Sequence, residues 1–340
     1  MKKFIFSFLL LTNCNKDEKK ETIAVEYENK NPKIKFSDDT YKLFEEFAEN
    51  KKEIMEKLKT LNKDEANRLY EQYVEDNENI LYKIGETTEK FLDSIYYGSA
   101  EEQFTEKDWN DTNKVLNKYD LELWDIGEGI VTIRELPHLY YDVFKDYVTD
   151  DYRDYLELVT KEYNEPYFGI EEILVSHEKI ADRILAWEEF QKKYPNSDFI
   201  ATANIEANVY RRAYILGSYN LHTREGGSEK PELYYIPDNI LKEFNRFMEK
   251  YSDSPTVELI KFYLENYKND DINDMLADKN IEIYNLDDIW EVYNQNSINR
   301  DKLLEDYSYL VDEQMEKLIK SLNYYKEEKT NTFFQNTIQQ

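Results

Sequence analysis

Metal and nucleophile chemistry has few places to sit in this chain, which holds three histidines and one cysteine. His177-Glu178-Lys179-Ile180-Ala181 begins as a zinc-binding helix would, with a glutamate beside the histidine. Ala181 stands where a second imidazole is required one helical turn on, so zinc has no such site there. Glu135 and His138 have the spacing of a carboxylate–histidine ligand pair, but the pair is single and Pro137 interrupts it. A metal site inside a helical bundle needs a second pair. His222 stands alone. Asp270-Asp271-Ile272-Asn273-Asp274 is acidic enough to suggest calcium, yet lacks the glycine and closing glutamate of a calcium loop. A solvated helix start is the expectation there. No glycine-rich phosphate loop and no Gly-x-Ser-x-Gly elbow occurs. With 72 acidic residues, a working carboxylate pair cannot be told from its background. The expectation is therefore no enzyme: no catalytic residue, no cofactor-binding residue and no metal ligand.

The elements that would position any such residues are helices. Glycine (8) and proline (7) are too scarce to serve the many turns of a sheet-rich fold of 340 residues. A formal charge of −28 repels nucleic-acid phosphates and anionic lipid headgroups, so no nucleic-acid partner is expected. Thirty tyrosines invite a glycan-binding reading, but tyrosine also packs well along half-buried helix faces.

Apolar residues recur at helical spacing from Leu43, Phe44 and Phe47 to Leu61, after N-cap candidates at Ser37-Asp38-Asp39. A second helix is expected from near Asp64 until Gly85 breaks it, with another through Phe91, Leu92 and Ile95. Residues 108–119 follow. Ile130-Val131-Thr132-Ile133 is ambiguous, with helix favoured over strand. Tyr140–Tyr163, Ile170–Tyr194, Phe199–Leu216, Ile240–Tyr251, Thr256–Tyr267 and Asp301 to about Tyr325 complete the helical pattern. The fold class is all-α.

Two stretches repeat. Phe190-Gln-Lys-Lys-Tyr194-Pro-Asn-Ser197 aligns with Phe247-Met-Glu-Lys-Tyr251-Ser-Asp-Ser254, each a helix end, a tight polar turn and a second amphipathic helix. With Trp187 and Glu188 ahead of it, the first copy resembles the helix-turn junction of tetratricopeptide-like repeats in envelope lipoproteins. The period exceeds the usual ~34 residues, since the non-helical stretch 217–239 intervenes. Stacked antiparallel helical hairpins, tetratricopeptide-like or an irregular helical array, are the expected architecture.

The N-terminus carries a second resemblance. Phe4–Leu11 is an apolar run far short of the roughly 20 residues of a membrane span, and it ends Leu11-Thr12-Asn13-Cys14. This is similar to the bacterial lipoprotein signal, in which a leucine three residues before a cysteine marks lipid attachment. Lys16, Asp17 and Glu18 then resemble the surface-export signal of Bacteroidetes lipoproteins. The resemblance implies a signal peptide at 1–13, a lipid on Cys14, a flexible tether at 14–36, a helical domain at 37–325 and a polar tail at 326–340. A subdivision of the domain falls near 166 or at 217–239. It further implies an outer-membrane, surface-facing lipoprotein held by its lipid alone. Its expected function is a non-enzymatic scaffold for an unknown protein partner, with cell-surface glycan binding as the alternative.

Overall fold

The computed structural model describes residues 36–97, 103–169, 172–218, 220–226, 234–267 and 312–322. Cys14, the tag Lys16, Asp17 and Glu18, the acidic run Asp270–Asp274 and the tail from 326 lie outside them. The described part is dominantly helical, as expected.

Helix α1 (Asp38–Leu58) starts where the Ser37 hydroxyl accepts from the Thr40 N–H at 3.1 Å, with two aspartates on the positive end of its dipole. It buries Phe44, Phe47, Ile54 and Leu58 against α2 (Lys63–Tyr97). Asn62 and Glu65 exchange side-chain-to-backbone bonds of 2.9 and 3.0 Å, a reciprocal cap that opens α2. The helix runs through Gly85 without a break, correcting the expected stop. Nothing lies within 4 Å of a Cβ placed there, so this glycine neither bends the chain nor meets a neighbour.

After α3 (Glu106–Leu116), opened by a Thr105–Asp108 capping box, comes the main departure from the all-helical expectation. Strands β1 (Leu121–Gly127) and β2 (Ile130–Glu135) form an antiparallel hairpin. Leu121 and Leu123 on β1, and Val131 and Ile133 on β2, face inward every second residue and pack on α2. That period of two is the strand signal, and it resolves the ambiguous run Ile130-Val131-Thr132-Ile133 as strand, against the favoured helix.

Short α4 (Leu139–Phe144) and α5 (Asp150–Asn164) lead to the repeated part. Helix α6 (His177–Lys193) begins seven residues later than the periodicity predicts, because Phe168 and Ile173 pair as an isolated bridge instead. Helices α6 and α7 (Ile200–Ile215) form one hairpin; α8 (Asp238–Lys250) and α9 (Thr256–Tyr267) form the next. Helix α6 packs on α8, and α7 on α9.

The two turns are near copies. Tyr194 and Tyr251 end their helices, both at φ −128°, with rings 5.2 and 5.3 Å from Phe190 and Phe247. Ser197 and Ser254 each accept, through Oγ, the N–H two residues on, at 3.3 and 3.2 Å. Each serine also donates 2.7 Å to a carboxylate on an earlier helix, Asp151 on α5 and Glu188 on α6. Arg211, fully buried on α7, locks the second layer to the first: it donates to Glu188 (2.8 Å), Asn208 (2.8 Å) and Thr256 (3.0 Å). Gly217 ends this unit at φ +79°, where a Cβ would meet the Leu221 carbonyl oxygen at 2.1 Å. A last helix over residues 312–321 joins through the pairs Arg212–Glu316 and Arg224–Asp312, both at 2.6 Å.

Candidate functional site

The histidines singled out in the sequence do not build a site. His177 lies on Tyr214 and Phe244, at ring distances of 4.2 and 5.5 Å, and its Nε2 donates to the Tyr214 carbonyl at 2.6 Å. Burial lowers its pKa, so it is a neutral core side chain. His138 and His222 are exposed, and His138 is 3.9 Å from Asp142 rather than joined to Glu135. Among the described residues no group of three His, Cys, Asp or Glu side chains could hold a metal ion.

What the fold gathers instead is a set of half-buried carboxyls among tyrosines. Glu162, near the end of α5, accepts from the Trp187 Nε1 of α6 at 2.7 Å. Burial pushes its pKa up to about 7, although Trp187, Arg183 and Tyr210 all favour the ionised form. Glu206 on α7 is pushed further, to about 8, by burial and then by the charge of Glu162. Among the described residues Glu206 has no hydrogen bond or ion pair. Burial thus brings both carboxyls into the range where a group exchanges protons near neutrality, which is the condition for general acid–base work.

Their surroundings are aromatic with one cation. The Arg183 guanidinium lies over the rings of Tyr210 and Tyr167 at 5.5 and 6.0 Å, and donates 3.3 Å to the Tyr210 hydroxyl. Its other nitrogen donates to the Glu165 carbonyl. Burial raises the Tyr163 and Tyr167 hydroxyls to about 12, so both remain O–H donors at neutral pH. Tyr163 is the link to a second acidic place, since its hydroxyl feels the charges of Glu135, Glu206 and Glu78.

That second place is the end of β2. Glu135 continues the inward face of Val131 and Ile133, directly across from Leu121. Burial raises its pKa against the opposing pull of its own backbone N–H and of Arg134. Around it stand Tyr70 and Tyr73 of α2, Tyr140 of α4 and Tyr163 of α5, all held neutral by burial.

Neither place shows a motif. Glu162, Glu206 and Glu135 are lone acids inside apolar patterns: Glu206 sits one turn from Ala203 and one from Tyr210, and Glu135 is the third inward position of a strand. An acid interrupting an apolar stripe is the signal that was available.

No family model and no solved structure matches the chain. A segment of 89 residues is 56% identical to part of a protein named glutamyl-tRNA reductase from Fusobacterium nucleatum, covering 26% of this chain and 26% of that protein. The chain thus spans about a quarter of the curated relative it matches. Identity at that level over 89 residues outweighs a resemblance carried by a few residues around Cys14. It overturns the Bacteroidetes-type surface lipoprotein, the non-enzymatic scaffold and its glycan-binding alternative. It overturns the outer-membrane location with them, because the relative is named as an enzyme. Among the described residues no helix is long and apolar enough to cross a membrane.

Proposed function

We propose that the chain is an enzyme, or the proton-handling part of one, acting on an aminoacyl group of the kind named in its relative, the glutamyl ester of glutamyl-tRNA. The observation that carries this reading is the 56% identity over 89 residues. The Glu162–Glu206 pair supports it chemically: near pH 7–8 one carboxyl can donate a proton while the other accepts one. Chemistry at an acyl carbon needs such a proton for the departing or newly formed oxygen.

The chain's own charge shapes how the substrate is met. At −28 it repels a polyanion, so the reading brings only the aminoacyl end to Glu162 and Glu206 and leaves the RNA phosphates away from the body. The test is to incubate the purified chain with tRNA carrying labelled glutamate, with and without a hydride donor, and to follow loss of ester-bound label and the aldehyde product. Turnover should fall about 10²–10⁴-fold in Glu162→Gln or Glu206→Gln. Label loss equal to the protein-free control, in both conditions, rejects the reading.

A further inference from the structure

A buried indole N–H must find an acceptor, and Trp187 finds it in a carboxyl. Its ring is 0% exposed on α6, with the rings of Tyr155 and Phe190 at 6.1 and 6.0 Å. So enclosed, it cannot turn away from Glu162, whose Oε1 lies 2.7 Å from Nε1. The indole N–H donates and never accepts. It therefore holds Oε1 as an acceptor, and a proton arriving on Glu162 goes to Oε2.

A second donor acts in the same sense. Tyr210, 2% exposed on α7, hydrogen-bonds the Glu162 carboxyl. Its hydroxyl accepts from the Arg183 Nη1 at 3.3 Å, which leaves the phenolic hydrogen for Glu162. Arg183, with its side chain 11% exposed, thus acts on Glu162 both by its charge and through that hydroxyl. Two donors and a cation all favour the carboxylate over the acid. Glu206 receives none of these bonds: among the described residues it has no hydrogen bond or ion pair. Burial acts on both acids, and only Glu162 has donors that oppose it. The other titratable groups facing them are Tyr155 and Tyr163 on α5 and Tyr167 beyond it, phenols that burial keeps neutral.

We propose that Trp187 is a positioning residue which, with Tyr210 and Arg183, fixes Glu162 as the proton acceptor and Oε2 as the atom that takes the proton, leaving Glu206 as the donor. The acid and base labels rest on the proposed reaction; the hold on Glu162 does not.

Infrared titration of the full chain tests the hold, with the Glu162→Gln spectrum subtracted to isolate one carboxyl. Glu162 should titrate at about 7 in the wild type. In Trp187→Phe, which loses the N–H, it should bind its proton about tenfold more tightly and titrate about one unit higher. Tyr210→Phe keeps the ring and should move it the same way, about threefold; it decides the matter if Trp187→Phe fails to fold. A folded variant in which Glu162 titrates as in the wild type, or lower, overturns the hold and leaves an indole that merely found a partner. The pH profile of the turnover assay tests the labels. The rate should rise with pH through the Glu162 titration and fall through that of Glu206, and Trp187→Phe should move the rising limb alone to higher pH. A rising limb that Glu206→Gln removes and Glu162→Gln keeps overturns the labels. Shifted titrations with no turnover in the wild type leave the hold standing and reject the aminoacyl chemistry.

Discussion

Glu206 is the side chain whose position is hardest to account for by stability. It is a half-buried acid with no hydrogen bond or ion pair among the described residues, and its pKa is pushed to about 8 from an ordinary 4.5. The folded chain therefore binds a proton more firmly than the unfolded chain between those values. Its contribution is fully present below about pH 4.5 and is lost as pH rises through 8. Replacing it by glutamine removes that loss. Glu206→Gln should be near neutral at pH 4.5 and more stable than the wild type at pH 8, by on the order of 2 kcal/mol. Urea melts at the two pH values check this, and a constant difference between them refutes it. A residue that weakens the fold at working pH is what a functional site tolerates. In sequence, Glu206 was one acid among 72, and only the packing of α5, α6 and α7 removes it from water. The zinc-like start at His177 failed for the opposite reason: that histidine has the spacing of chemistry but the surroundings of a core.

The helical hairpins were legible because their signals are local. Phe-x-x-Lys-Tyr and the serine turn occur twice, and the structure repeats them bond for bond. Phe190 and Phe247 are 3% and 0% exposed. Phe190→Ala and Phe247→Ala should each cost about 3–5 kcal/mol in a denaturant melt; a loss below about 1 kcal/mol at either would show that the copies are not equivalent. The β-hairpin was misread because its apolar residues are few and lie beside helical segments. Its register needs α2 as a platform, which no local window contains. The polar node at Glu188 was invisible for a related reason, since its partners come from two distant segments, Arg211 on α7 and Ser254 with Thr256 at the second turn. Glu188→Ala should destabilise by about 3–5 kcal/mol, because the buried Arg211 loses its counter-charge. Arg211→Met with Glu188→Leu should recover part of that loss in the same melt, which no loss of packing alone would explain.

At the scale of the molecule, the charge sets a limit on the proposed substrate. Uncharged tRNA should bind no better than a polyanion control at 0.15 M salt in a filter assay; tight binding would reveal a basic surface that the chain's −28 hides. The stack has another property, which follows from its two serine turns. In each turn the serine donates to a carboxylate on an earlier helix, Asp151 for Ser197 and Glu188 for Ser254, so each receiving acid precedes its turn in the chain. The layers thus have a direction. During synthesis the receiving acid leaves the ribosome before the turn that seeks it, so hairpins can dock one after another onto a finished template. Shortening from the C-terminal side should remove layers while leaving a cooperative remainder. Removing α5 should expose an open end from which hydrogen exchange spreads inward.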